Sequence, residues 1–168
     1  MNQKEEDYLV RLLKKLKPGF LPYPIFEQIA RLTTLSIIEF VPLCKRPDGA
    51  VEVLLLERGH DDPIWPDEVH TPGTVIRPGD TDANMFKAFK RITSDELKNT
   101  EITAPHFVGT ILHESKRGWE FAQVYWVEVL DAPKEGKFHP VNKLPDNLVE
   151  SQYGFIAQAV ENFSQCKS

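Results

Sequence analysis

Residues 72–97 read PGTVIRPGDTDANMFKAFKRITSDEL, and no other stretch of this chain constrains its fold as tightly. A Pro-Gly turn leads into a short strand over 75–77, and Pro78-Gly79-Asp80 turns the chain again. A helix then starts near Ala83, with Thr81 or Asp82 as its cap. Met85, Phe86, Phe89 and Ile92 follow at helical spacing and predict one buried stripe. Four residues further on, where the next apolar side chain belongs, stands Glu96, with Asp95 beside it. Burying an unpaired carboxylate is costly, and two acids at a helix C-terminus oppose the macrodipole. A solvated helix end is one resolution. The other is a cationic partner, either Arg91 one turn earlier or a divalent ion held against a phosphate-bearing ligand.

The rest of the chain supplies a frame for that segment. Leu9, Leu12, Leu13 and Leu16 predict a helix over 5–17, with Lys14, Lys15 and Lys17 near its end and Pro18-Gly19 as its stop. A second short helix is expected over 24–32, with Ile25, Phe26, Ile29 and Ala30 on its apolar side. Such a stripe serves a membrane surface or a partner helix, or it docks on its own domain or a twin subunit, as in a homodimer. Docking on its own domain is the commoner outcome. From residue 36 the period changes to that of strands, 37–43 and 51–56, joined by a hairpin at Asp48-Gly49. The stretch 59–71 reads as a loop. Strands are expected at 107–113, 121–130 and 137–140, and a last helix at 151–163. The order predicts an α+β (mixed α/β) domain with its sheet between helices, spanning 34–168 behind a helical arm at 1–33.

Bulk properties narrow the functions. A chain of 168 residues can bury a core without metal or disulfide staples, and Cys44 and Cys166 lack ligand spacing. A net charge of −5 gives no general attraction to a nucleic-acid backbone. No apolar run reaches membrane-spanning length, and the polar start is unlike a secretory signal, so a cytoplasmic protein binding neither nucleic acid nor membrane is expected.

The 72–97 segment resembles a degenerate Nudix box, whose pattern is G-x5-E-x7-R-E-U-x-E-E-x-G-U with U aliphatic. Pro72-Gly73-Thr74 falls on the Pro-Gly-Gly of that family, Asp80 near its first Glu, Arg91 on its Arg, and Asp95-Glu96 on its Glu pair. The sequence departs at Thr74, at Ile92 where a Glu is usual, at Lys98 where a Gly is usual, and by three extra residues between Asp80 and Arg91. Residues 89–97 are locally similar to the box of GDP-mannose mannosyl hydrolases. Leu54–Arg58, Trp65 before Pro-Gly, and the 138–145 stretch are similar to the flanks.

The resemblance implies a Nudix-like sheet sandwiched between helices and hydrolysis of a nucleoside diphosphate linked to another moiety, with Mg²⁺ or Mn²⁺. Glu96, Asp95 and the Gly73 carbonyl become the metal ligands, with one ion rather than a cluster because of Ile92. Asp80 pairs with Arg91 and orients the loop against the helix. His113 and Glu114 are the candidate general bases, with Glu120 behind them. Arg58, Lys116 and Arg117 are placed for phosphates and His70 for substrate. Trp65, Trp119 and Tyr125 are either base-stacking or core. The competing reading is an inactive Nudix-fold module that binds a nucleotide-like ligand or a protein.

Overall fold

The computed structural model describes residues 1–80 and 85–166. Its elements are α1 (Gln3–Leu13), α2 (Tyr23–Leu32), β1 (Leu35–Lys45), β2 (Val51–Glu57), β3 (Val69–His70), β4 (Gly73–Val75), α3 (Phe86–Arg91), a π-helical turn (Ile92–Glu96), β5 (His106–Ser115), β6 (Gly118–Glu128), β7 (Lys137–Pro140) and α4 (Gln152–Cys166). The expected cap at Thr81 or Asp82 and the helix start at Ala83 lie outside the described residues.

β1 is apolar almost without alternation because both of its faces are covered. It runs parallel to β6 along most of its length and changes its other neighbour halfway. Ile37, Ile38 and Glu39 pair with β4, whereas Leu43, Cys44 and Lys45 pair with β2. The sheet follows the order β3-β2-β1-β6-β5, with β7 on β2. On one face, Leu35, Ile37, Val41 and Leu43 pack with Phe155, Ile156, Ala159 and Phe163 of α4. On the other, Ile38, Phe40 and Leu54 meet Ala88, Ile92 and Leu97. The sheet thus lies between helices, an α+β arrangement. The β1–β2 hairpin turns at Asp48-Gly49, with Gly49 at φ 85°.

The arm divides into two parts. α2 docks: Ala30 is buried, and its carbonyl lies so near Gly118 that a Cβ there would meet it at 2.7 Å. α1 does not dock. Leu9, Leu12 and Leu13 are all exposed and α1 buries no residue, which corrects the expectation that its stripe packs on its own domain. α1 is held locally instead, by a capping box in which the Glu5 amide donates to Asn2 Oδ1 (3.1 Å) and the Asn2 amide to Glu5 Oε2 (2.7 Å). Among the described residues no helix is long and apolar enough to cross a membrane.

The box helix departs from simple α periodicity. Phe86 is 63% exposed, outside the expected stripe, while Ala88 and Ile92 are fully buried. After Ile92 the helix widens: the Leu97 amide donates to the Ile92 carbonyl, five residues back, at 3.0 Å. That extra residue in the turn puts Leu97 into the core position which α spacing assigns to Glu96. The helix ends in two left-handed residues, Lys98 (φ 50°) and Asn99 (φ 59°). Asn tolerates that region and Lys does not. Lys98→Gly is therefore expected to raise stability by about 1 kcal/mol. Denaturant unfolding checks this; no gain would mean that the bond from Lys98 Nζ to the Asp95 carbonyl (2.7 Å) outweighs the strain.

Candidate functional site

The change of partner along β1 separates the end of β2 from the start of β4; the chain between them, expected as a loop over 59–71, returns along β2 as the short strand β3 at Val69–His70. A cavity of ≈ 520 Å³ lies there, walled on one side by Arg58, Trp65, Gly73 and Glu96 and on the other by Phe20 and Tyr23 of the arm. Asp62, Arg77 and Arg117 complete its charged lining.

Gly73 is glycine for a steric reason. It pairs with Glu39 across β1–β4, and a Cβ at 73 would run into the Glu39 carboxylate. Glu39 itself is buried and accepts a hydrogen bond from Thr71 Oγ1 at 3.0 Å. Thr71 Oγ1 also contacts Gln152 Oε1 of α4. Burial pushes the Glu39 pKa up to about 8, so its carboxyl is neutral at pH 7.

Asp80 and Arg91 form a two-pronged pair, with Nη1 donating to Oδ1 at 2.6 Å and Nη2 to Oδ2 at 2.8 Å. The Arg91 hydrogen bonds, with help from the Arg77 amide, hold the Asp80 pKa below the ordinary range. Arg91 Nη2 also donates to the Val75 carbonyl at 3.2 Å. One guanidinium thus ties the turn after β4 to the box helix, eleven residues on in sequence.

Because the π-turn gives the core position to Leu97, the Glu96 carboxylate is free to line the cavity. Burial raises its pKa, and Arg58 and Lys98 draw it back. Asp95, next to it, is exposed, accepts a bond from Ser94 Oγ at 2.6 Å and does not line the cavity. Ile92, where a further acid would stand, is fully buried. Among the described residues no group of three or more His, Cys, Asp or Glu side chains comes together to hold a metal. What is in place, the Glu96 carboxylate and the backbone at Gly73, with Asp62 already tied to Arg58, does not fit a preassembled metal cluster.

The other sequence candidates are dispersed. Arg58 donates to Asp62 Oδ2 at 2.9 Å, and Arg117 donates to the buried Glu120 at 2.7 Å. Both guanidinium groups lie 4.9 Å from the Trp65 ring centre. Lys116 pairs with Glu68. His113, Glu114 and Lys116 line a separate cavity of ≈ 480 Å³, which shares Trp65 with the first but not Glu96. His113 Nε2 is 3.5 Å from Glu120, and its ring packs edge-on against Phe155. His70 is buried, with Nδ1 2.7 Å from the Thr71 carbonyl, and burial lowers its pKa to about 4. Tyr125 is packed between Phe89 and Phe107, and Trp119 lies outside the cavity. Sequence reasoning passed over Arg77, Phe20 and Tyr23. The available signal was the setting of two aromatic residues among Pro18, Pro22 and Pro24, where a polar connection is usual.

Neither family models nor curated proteins match this sequence. Solved structures do. A mutT/nudix family protein from Listeria innocua aligns with a TM-score of 0.62 at 15% identity, over 79% of this chain and 96% of its own. The NUDIX domain of Shewanella oneidensis NrtR, solved with ADP ribose, aligns with a TM-score of 0.57 at 18% identity, over 97% of this chain and 99% of that one. An Ap4A hydrolase from C. elegans gives 0.57 at 16% identity, over 79% and 99%. The sheet between helices is the fold of these Nudix structures, and this chain has it.

Proposed function

We propose that this chain is a Nudix-type hydrolase of a nucleoside diphosphate linked to another moiety, working at the cavity between the arm and the box helix. The observation that carries the reading is the π-turn. It turns the Glu96 carboxylate out of the core and into a cavity that also holds Arg58, Arg77 and Arg117. In this reading Glu96 and the Gly73 carbonyl hold Mg²⁺ or Mn²⁺, and Asp95 joins them only after a change of side-chain position. The ion, when bound, neutralises phosphate charge and makes a water more acidic. The chain's own residues do the rest. Arg77, which makes no ion pair among the described residues, neutralises the phosphates, assisted by Arg58 and Arg117, whose charges are partly spent on Asp62 and Glu120. The Asp80–Arg91 pair fixes the loop against the helix so that Gly73 and Glu96 keep their separation.

The second reading is an inactive module that binds the same class of ligand. It is favoured by buried Ile92 and exposed Asp95, which leave Glu96 as the one box acid at the cavity, beside Asp62 of the preceding loop. One experiment separates the two. ADP ribose, diadenosine tetraphosphate and GDP-mannose are offered with Mg²⁺ or Mn²⁺, with binding followed by calorimetry and hydrolysis by chromatography. Hydrolysis by the native chain is expected, falling in Glu96→Gln by on the order of 10²-fold, at least the cost of removing a group that supports a metal ligand. Binding without turnover by the native chain would make the module reading the correct one. Unchanged turnover in Glu96→Gln would remove Glu96 from the mechanism.

A further inference from the structure

We propose that Phe20 and Tyr23 of the N-terminal arm form the recognition wall for a planar group, a nucleobase or comparable aromatic ring, carried by the diphosphate ligand. The inference rests on the reading above that the cavity takes a nucleoside diphosphate derivative, and it names which residues select the non-phosphate part.

The cavity lining combines the guanidinium groups of Arg58, Arg77 and Arg117 and the carboxylates of Asp62 and Glu96 with rings contributed by the arm. Phe20 is 83% exposed, an unfavourable setting for a phenyl ring, and its one ring contact is the Arg77 guanidinium at 5.9 Å. Tyr23 opens α2 and keeps 36% of its surface exposed, although the helix behind it is docked through Ala30. The two rings are presented by a stiff segment. Pro18 and Gly19 end the preceding turn, Pro22 holds φ at −54°, and Pro24 occupies the first turn of α2. A backbone held in place before binding loses little entropy when a base stacks on the rings it carries.

The alternatives for stacking are already used. Trp65 is 5% exposed and carries two guanidinium groups at 4.9 Å. Tyr125 is enclosed by Phe40, Phe89 and Phe107. Trp119 does not reach the cavity. Phe26, the third ring of the arm at this cavity, packs against the sheet core, which leaves Phe20 and Tyr23 as the lining rings that are exposed. Arg77, shared between Phe20 and the phosphate region, then links the two halves of the site: the guanidinium that faces phosphate also orients the ring.

The test compares two probes that share a diphosphate mimic and differ by adenosine: α,β-methylene-ADP and methylenediphosphonate. Both resist hydrolysis, so calorimetry on the full chain in Mg²⁺-containing buffer reads binding alone. In the double variant Phe20→Ala, Tyr23→Ala the ratio of nucleotide to methylenediphosphonate affinity is expected to fall about tenfold or more. Restoring rings of different outline, Phe20→Tyr with Tyr23→Phe, is expected to recover the ratio. An equal loss for both probes would overturn the inference, because the arm would then only shape the cavity. An unchanged ratio in the double variant would overturn it as well. If the native chain binds neither probe, the functional reading itself falls and takes this inference with it. If it binds both and the ratio does not move, the functional reading stands and the inference alone is lost.

Discussion

Glu39→Gln is expected to stabilise this protein by about 3 kcal/mol at pH 7 and to change little at pH 4. The native carboxyl ionises only near pH 8, against 4.5 when unfolded, because it is buried at the β1–β4 pairing. A raised carboxyl pKa has a definite sign. Below pH 4.5 both states carry the proton and nothing is lost. Above it the unfolded chain ionises while the native chain does not, and each pH unit costs about 1.4 kcal/mol until the native group ionises too. Gln keeps an oxygen for Thr71 Oγ1 and has nothing to ionise. Chemical denaturation of both proteins across pH 4–9 reads the difference directly. Parallel profiles would mean that Glu39 is charged in the native state, with a cation nearer than Arg117 or Arg58 to hold it. The result bears on the site because the same carboxyl obliges position 73 to be glycine.

Arg91→Met is expected to cost about 3 kcal/mol, the usual penalty for leaving a buried charge without its partner. Asp80 is 4% exposed and retains only the Arg77 amide as a described donor once the guanidinium is gone. Its depressed pKa gives stability that is complete above the unfolded value of 3.8 and is lost as pH falls through the lower native value. The variant should lack that acid-side contribution, so its loss relative to the native chain is largest at neutral pH and shrinks below pH 4. Arg91→Met, Asp80→Leu removes both charges and should recover part of the loss, as buried pairs replaced by apolar side chains do. A double variant no better than the single one would show that the bond from Arg91 to the Val75 carbonyl, and not the ion pair, carries the energy. His70 adds an acid-side term of the same sign. Its folded pKa, near 4, means that stability is lost as pH falls from 6.5 toward 4.

Both predictions concern contacts of different legibility. Asp80 and Arg91 were paired by their places in a recognisable segment, and the pair is present in the fold. Glu39 carried no signal. It is one residue in a β run, and nothing local says that its side chain points under a glycine thirty-four residues away. Glu96 lies between these cases. Helical spacing marked it as anomalous, a carboxylate where an apolar residue belongs, but spacing cannot announce a π-turn. The anomaly vanishes once Leu97 is seen to take the core position.

What the sequence determined by itself is the backbone plan. Runs of β-branched and aliphatic residues, the Asp-Gly hairpin and the Pro-Gly turns specify strands, turns and helices because those preferences act over a few neighbouring residues. Only the tertiary structure decided which side chains meet. β1 changes partner midway beside the cavity, Trp65 collects two arginines, Asp95 stays in solvent, and α1 remains undocked while α2 and the turn before it bring Tyr23 and Phe20 to the cavity. Each of these depends on how segments far apart in the chain divide a limited surface among themselves, and local periodicity carries no information about that division.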